Sequence, residues 1–235
     1  MKLAIMQPYF VPYLGYFALI KHTDQWVVFD TPQFIRHGWI ERNRILKPTE
    51  GWQYIKIPLI KFRRETPINK VRINRNEDYK RRILAQIKHY EKRAPYYNET
   101  IDLIRNLLSF NTDSLVELNI KALEYICEYL DIPLYYTKFS DFNEEIPPIN
   151  NPDEWALEIS KFLNAKEYYN LPGGEKFFDK SKFVKAGIKL KFFTISESLY
   201  DQKRNHFEPN LSIIDVIMFN SVNDIQFMLN NIMIN

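Results

Sequence analysis

The chain has 235 residues, 46% of them hydrophobic and 15% aromatic, a formal net charge of +3 and one cysteine. That length and apolar content suit one domain with a real core, or one with a small appended lobe, and exclude a disordered chain. The modest charge demands no polyanionic partner, the lone Cys127 excludes an internal disulfide, and no apolar run reaches the ~18 residues of a membrane span. In chain order, residues 2–6 form a short apolar run that predicts a buried strand. A turn rich in Pro and Tyr follows, then a helix over 14–22 and a strand over 25–30 that ends in Asp30. Strand, loop, helix and strand within about 30 residues predict a βαβ unit with a parallel pair. Further strands are expected at 51–59 and 68–74. A helix over 77–93 carries Tyr79, Ile83, Ile87 and Tyr90 on one stripe, and Pro95 stops it.

Helices over 98–108 and 113–130 come next, the second with Thr112 or Asp113 as its cap, then a strand over 134–139. Residues 140–151, with the pair Pro147–Pro148, are the best linker candidate. Asn151, Pro152 and Asp153–Glu154 announce a helix running to about Leu163. Strands over 168–171 and 188–195 flank a helix over 179–186 that Gly187 stops. Ser212 with Asp215, and Asn223 with Gln226, read as capping boxes. The sum is an α/β fold: a mostly parallel, Rossmann-like sheet flanked by helices, with a helical insertion in the middle, read as one domain over 1–235. The opening MKLAIMQPYF has no leader-like apolar run with a small-residue cleavage site, so a cytoplasmic protein is the expectation.

Basic residues crowd between Lys61 and Arg93, whereas residues 99–158 are mostly acidic. Two readings of the basic stretch stand: a solvated helix face, or a docking face for an acidic protein or phosphorylated ligand.

Three constellations carry candidate chemistry. The first is QPYFVPYLGYFALIK, residues 7–21, at the strand-to-helix turn of the first βαβ unit. Ligands of open α/β sheets bind beyond the carboxyl ends of the strands, and a helix starting near Leu14 would aim free N–H groups at a phosphate there. The segment resembles the strand, Pro-containing turn, H-x-G-H and helix of nucleotidylyltransferases. Tyr13, Leu14, Gly15 and Tyr16 take the H-x-G-H positions, so both histidines are replaced by uncharged phenols. Gln7, Tyr13, Gly15 and Tyr16 are candidate binding residues.

The second is DTPQFIRHGWIERNRIL, residues 30–46. His37 or Asp30 suits a general base, Arg42 and Arg44 suit a phosphate or carboxylate, Trp39 suits a sugar ring, and Gln33 adds an amide. The third gathers Asn170, Gly173 and Gly174 with Tyr200, Gln202 and Ser212. The glycine pair lets backbone amides approach a ligand, while Ser212 and Asp215 read first as a helix start. No C-x-x-C, H-E-x-x-H, P-loop or G-x-S-x-G occurs, so no dedicated metal site is expected. Cys127, inside a helix, reads as a buried inert thiol.

Taken together, MKLAIMQPYFVPYLGYFALI, HGWIERNRIL, AKEYYNLPGGEKFFDKSKFVKAGIKLKFF, then Tyr200-Asp201-Gln202 and FEPNLSIIDVIMFN resemble the WbqC-like family, in order and over nearly the whole chain. The family often has paired acids where this chain reads Phe29-Asp30-Thr31-Pro32-Gln33, so only Asp30 is left for that role. The resemblance implies a place in O-antigen or capsule gene clusters and a glycyl or other acyl transfer to an amino sugar.

The leading expectation is an acyl or aminoacyl transferase acting on a nucleotide-linked amino sugar. His37 or Asp30 would take the proton of the sugar amine, and Tyr13, Tyr16 and the arginines would hold the phosphates. The donor would be an acyl carrier protein with its phosphopantetheine arm, docked on the basic stretch. The alternative is a non-catalytic protein that binds a nucleotide sugar or carrier on a nucleotidylyltransferase-like fold. RNA binding is a third reading. The aromatics of the basic stretch, Phe62, Tyr79 and Tyr90, lie partly on a core stripe, which counts against a stacking platform.

Overall fold

Residues 1–149, 151–195 and 199–234 are described by the computed structural model. The apolar run near the start forms β1 (Lys2–Met6), at the centre of a six-stranded sheet. Both of its faces are buried: Leu3 and Ile5 join one core cluster and Ala4 the other. A strand covered on both sides has no polar face, which is why it reads as a continuous apolar run. α1 (Leu14–Lys21) is buried at every position from Leu14 to Ile20 and leads into β2 (Gln25–Val28), parallel to β1.

The chain then leaves the sheet. β3 (Arg42–Leu46) and β4 (Trp52–Lys56) form an antiparallel hairpin. α2 (Tyr79–Ile87), α3 (Tyr97–Ser109) and α4 (Leu115–Tyr129) follow as amphipathic helices that bury Ile83, Ile104 and Leu123. The sheet resumes at β5 (Tyr136–Lys138), then α5 (Trp155–Phe162), β6 (Glu167–Asn170), α6 (Lys180–Lys185) and β7 (Lys189–Ile195). α7 (Ile213–Phe219), α8 (Val222–Asn230) and β8 (Ile232–Ile234) close the fold.

The sheet order is β5-β2-β1-β6-β7-β8, parallel except for the antiparallel edge strand β8. The chain therefore builds outward from β1 on one side and then restarts on the other, the doubly wound order with its switch point between β1 and β6. Residues of α1, α7, α8 and the insertion pack on one face, and residues of α5 and α6 on the other. No helix among the described residues is long and apolar enough to cross a membrane.

Several local expectations are corrected. Residues 68–74 are not a strand: Ile68–Lys70 is a 3-10 turn, and only isolated bridges join Leu59 to Ile73 and Arg72 to Ser114. The strand within 51–59 belongs to the hairpin, not to the main sheet. The helix over 77–93 tightens at Lys88–Lys92 into a 3-10 turn. Ser114 caps α4 in place of Thr112 or Asp113. The capping box of α8 is Ser221 with Asp224, two residues before Asn223 and Gln226. Ser212 does cap α7, but Asp215 turns inward to other partners. Within 140–149, Ile146 is buried in the α5–α6 face and Ser140 bonds Asp30, while Asn150 lies outside the described residues.

Candidate functional site

Residues 7–13 join β1 to α1, and Pro8 and Pro12 leave this segment short of amide donors. Its carbonyls are satisfied instead by buried side chains from distant elements. The Asn119 amide donates to the Pro8 carbonyl at 2.7 Å. The Asn43 amide, from β3, donates to the carbonyls of Phe10 and Val11 at 3.0 Å each. The Ser212 hydroxyl donates to the Val11 carbonyl at 2.7 Å. Val11 has φ of 37°, in the left-handed region that a β-branched residue enters only under constraint. Three buried polar side chains thus hold a strained turn at the carboxyl end of the central strand.

This turn walls a cleft of about 590 Å³ that opens at the switch point. Gln7 lies just past β1, and Asn170, Gly173 and Gly174 lie at and past the end of β6. Phe29, Trp155, Tyr168, Phe177 and Phe178 give it aromatic walls, and the half-exposed Trp39 stands at its edge. The Asn170 amide donates to the Tyr168 hydroxyl at 2.8 Å, and its carbonyl accepts from the Leu171 N–H at 2.6 Å. A Cβ on Gly174 would lie 3.2 Å from the Phe178 ring and 3.4 Å from the Asn170 amide, whereas Gly173 borders open space.

Arg44, on β3, is the one charged side chain of the described lining. Its guanidinium carbon sits 5.3 Å from the Trp39 ring centre and 5.1 Å from that of Trp52. One terminal nitrogen donates to the Asn210 carbonyl at 3.1 Å, and Nε is buried with no acceptor. Among the described residues no carboxylate pairs with it. A guanidinium fixed by stacking and left without a counter-charge suits an anionic oxygen. Burial raises the Tyr9 phenol, and burial with Tyr9 alongside pushes Tyr13 up to about 12, so both are donors at neutral pH.

A second cavity, of about 300 Å³, meets the cleft at Tyr13 and Asn210 and is lined by Gly15 and Tyr200. A Cβ on Gly15 would lie 2.6 Å from the Tyr13 ring, so the glycine lets that ring approach α1 closely.

Of the expected residues, Gln7, Tyr13, Trp39, Arg44, Asn170, Gly173 and Gly174 meet in the cleft, and Gly15, Tyr200 and Tyr13 in the second cavity. The others sit elsewhere. Tyr16 is wholly buried and donates to the Gln7 carbonyl at 2.7 Å, bracing the turn from beneath. Gln202 is buried and donates to the Asp215 carboxylate and the Glu208 carbonyl, both at 3.0 Å. Asp30 is buried and accepts from the Ser140 N–H at 3.0 Å and its hydroxyl at 2.7 Å. His37 is exposed at φ 64°, its N–H bound to Glu41 at 2.9 Å. Arg42 stacks 3.9 Å over the Tyr54 ring, and Gln33 bonds the Arg64 carbonyl at 2.8 Å. Asp30, Gln33, His37 and Arg42 line neither cavity. Nor is the basic stretch one free face: Arg72, Arg82 and Lys88 pair with Asp113, Glu77 and Glu91.

Sequence reasoning missed Phe29, Trp155, Phe177 and Phe178, and it placed Asn43 and Asn210 within candidate stretches without giving either a binding role. Nothing in their periodicity separates a lining aromatic from a core one. Asn43 did carry a signal: an amide between two arginines, at a buried position of an alternating run, must find partners inside.

These features define a doubly wound α/β protein with an aromatic-walled cleft at its switch point. The chain belongs to the WbqC-like protein family, matched over residues 7–227. It is similar to the uncharacterized protein Rv1507c of Mycobacterium tuberculosis, 28% identical over 219 residues, a match that covers 92% of each chain. No solved structure matches the chain.

Proposed function

We propose that the cleft binds a nucleotide-linked amino sugar of surface-polysaccharide synthesis. The observation that carries this reading is Arg44, a stacked guanidinium without a carboxylate partner among the described residues, at the switch point of a doubly wound sheet. In this reading Arg44 holds the diphosphate, the Gly173–Gly174 backbone approaches it, and the aromatic walls take the base and the sugar ring. A pocket that is mostly apolar with a few placed polar groups is the usual inventory of a small-ligand site.

On this reading the protein transfers an acyl or aminoacyl group to the sugar amine, taken from a carrier-borne phosphopantetheine. A second reading, binding without catalysis, is favoured by one observation: no His, Asp, Glu, Lys or Cys is among the described lining residues. Asp30 and His37 remain the proposed bases, although neither lines the cleft: His37 lies on the surface and Asp30 is buried against Ser140.

A thermal-shift panel tests the binding claim. At a hundredfold excess over Kd, a ligand of the folded state adds about 2.7 kcal/mol, enough to raise the melting temperature by several degrees. Nucleotide-linked sugars should do so more than the nucleotide or the sugar alone. A panel in which no nucleotide-linked sugar shifts the transition, while RNA does, would sink the reading.

A further inference from the structure

The second cavity adjoins the cleft at Tyr13 and Asn210 and has no charged side chain in its described lining. Its walls are chiefly apolar: Leu14, Phe207, Pro209, Leu211 and Val216 contribute side chains, and Gly15 leaves room by having none. Leu211 and Val216 are core residues of α7 and the segment before it, so this wall is fixed rather than mobile. Polar groups concentrate at the junction with the cleft, where Tyr13 and Asn210 border both spaces. The Asn210 carbonyl is bound to Arg44 at 3.1 Å, which ties the junction to the anion-binding end of the cleft. The Tyr13 hydroxyl, a donor at neutral pH, lies 3.3 Å from where a Cβ on Gly15 would be, beside the second cavity. The Tyr200 phenol is committed elsewhere, donating to the buried Asp215 carboxylate at 2.5 Å, so it adds a ring rather than a donor.

We propose that this cavity is the subsite for a short acyl chain attached to the ligand of the main cleft. The acyl carbonyl lies at the junction, where the Tyr13 hydroxyl donates to it, and the methylenes extend along Leu14, Phe207, Leu211 and Val216. The ligand class is an N-acylated amino sugar or the acyl thioester from which it is made, so the inference rests on the reading of the cleft as an amino-sugar site. The two are separable because the chain can be tested without the nucleotide.

The test uses glucosamine carrying N-acetyl, N-butyryl or N-hexanoyl groups, titrated by ligand-observed NMR. Each methylene buried should tighten binding about fourfold. Val216→Phe, which fills the cavity from α7, should flatten this dependence. Should that variant fail to fold, Phe207→Ala removes a wall residue that is 36% exposed and should at least halve the gain per methylene. Arg81→Ala, at a position exposed on α2 and lining neither cavity, should leave the dependence unchanged. Equal affinity for all three sugars, no saturable binding of the hexanoyl sugar, or a chain-length gain that survives Phe207→Ala at full size overturns the proposal. Loss of nucleotide-sugar binding with the chain-length gain intact would instead fault the reading of the cleft.

Discussion

The phenol of Tyr90, in the 3-10 turn after α2, donates to the carboxylate of Asp215 on α7 at 2.6 Å. Tyr200 and Gln202 complete the shell of this wholly buried acid. Burial pushes Asp215 up from 3.8 to about 6, against the hydrogen bonds of Tyr200, Tyr90 and Gln202 and the nearby charge of Arg204. A raised folded value means that its contribution to stability is full below about pH 3.8 and is lost as pH rises through about 6. The loss is on the order of 3 kcal/mol, at about 1.4 kcal/mol per pH unit. Urea unfolding of the wild type and Asp215→Asn between pH 4 and 7 checks this. The variant should gain on the wild type by about that amount across the window, and parallel curves would contradict the assignment.

Gly15 and Tyr13 are coupled by the same close approach that brings the ring onto α1. A methyl at Gly15 would sit 2.6 Å from the Tyr13 ring, and a side chain can swing away where backbone cannot. Gly15→Ala should therefore keep the melting temperature within a few degrees, helped by up to about 1 kcal/mol of helix propensity. Ligand binding should fall, because Tyr13 borders both cavities. A variant that binds as the wild type does would show that the Tyr13 ring position is unimportant.

Asn43 holds the strained Val11 turn through two carbonyls. Asn43→Ala strands the Phe10 carbonyl in the interior and leaves the Val11 carbonyl to Ser212 alone, at a cost of about 1–3 kcal/mol. Chemical denaturation should read that loss, and any ligand of the cleft should bind more weakly to the folded variant.

Cys127 is buried in α4, and burial pushes its thiol up to about 12. In the native protein at pH 8 it should resist a thiol-specific disulfide reagent. It should react stoichiometrically once urea unfolds the chain.

The first βαβ unit was legible because nothing competes with its pattern: an apolar run, a proline turn and an apolar helix all point the same way. β3 was not, because its half-buried positions are Arg42 and Arg44 and one buried position is Asn43. The arginines earn their place by stacking on Tyr54, Trp39 and Trp52, partners that no local window contains. Residues 68–74 failed in the opposite direction, since Ile68, Val71 and Ile73 are buried without belonging to a ladder. For the site, the turn residues Gln7 and Tyr13 and the Gly173–Gly174 pair could be read from chain order, because both follow strands flanking the switch point. The position of His37 could not, since it depends on a turn at positive φ and on Glu41, which draw it out to the surface.

Arg44 is proposed to bind an anionic group of a nucleotide-linked sugar in the switch-point cleft. Calorimetric titration of a UDP-linked amino sugar into the wild type, Arg44→Ala and Arg81→Ala tests it most directly. Arg81 is exposed on α2 and lines neither cavity. Binding should be saturable in the wild type, weaker by about 1–3 kcal/mol in Arg44→Ala and unchanged in Arg81→Ala. No saturable binding to the wild type, or a larger loss from Arg81→Ala than from Arg44→Ala, contradicts it.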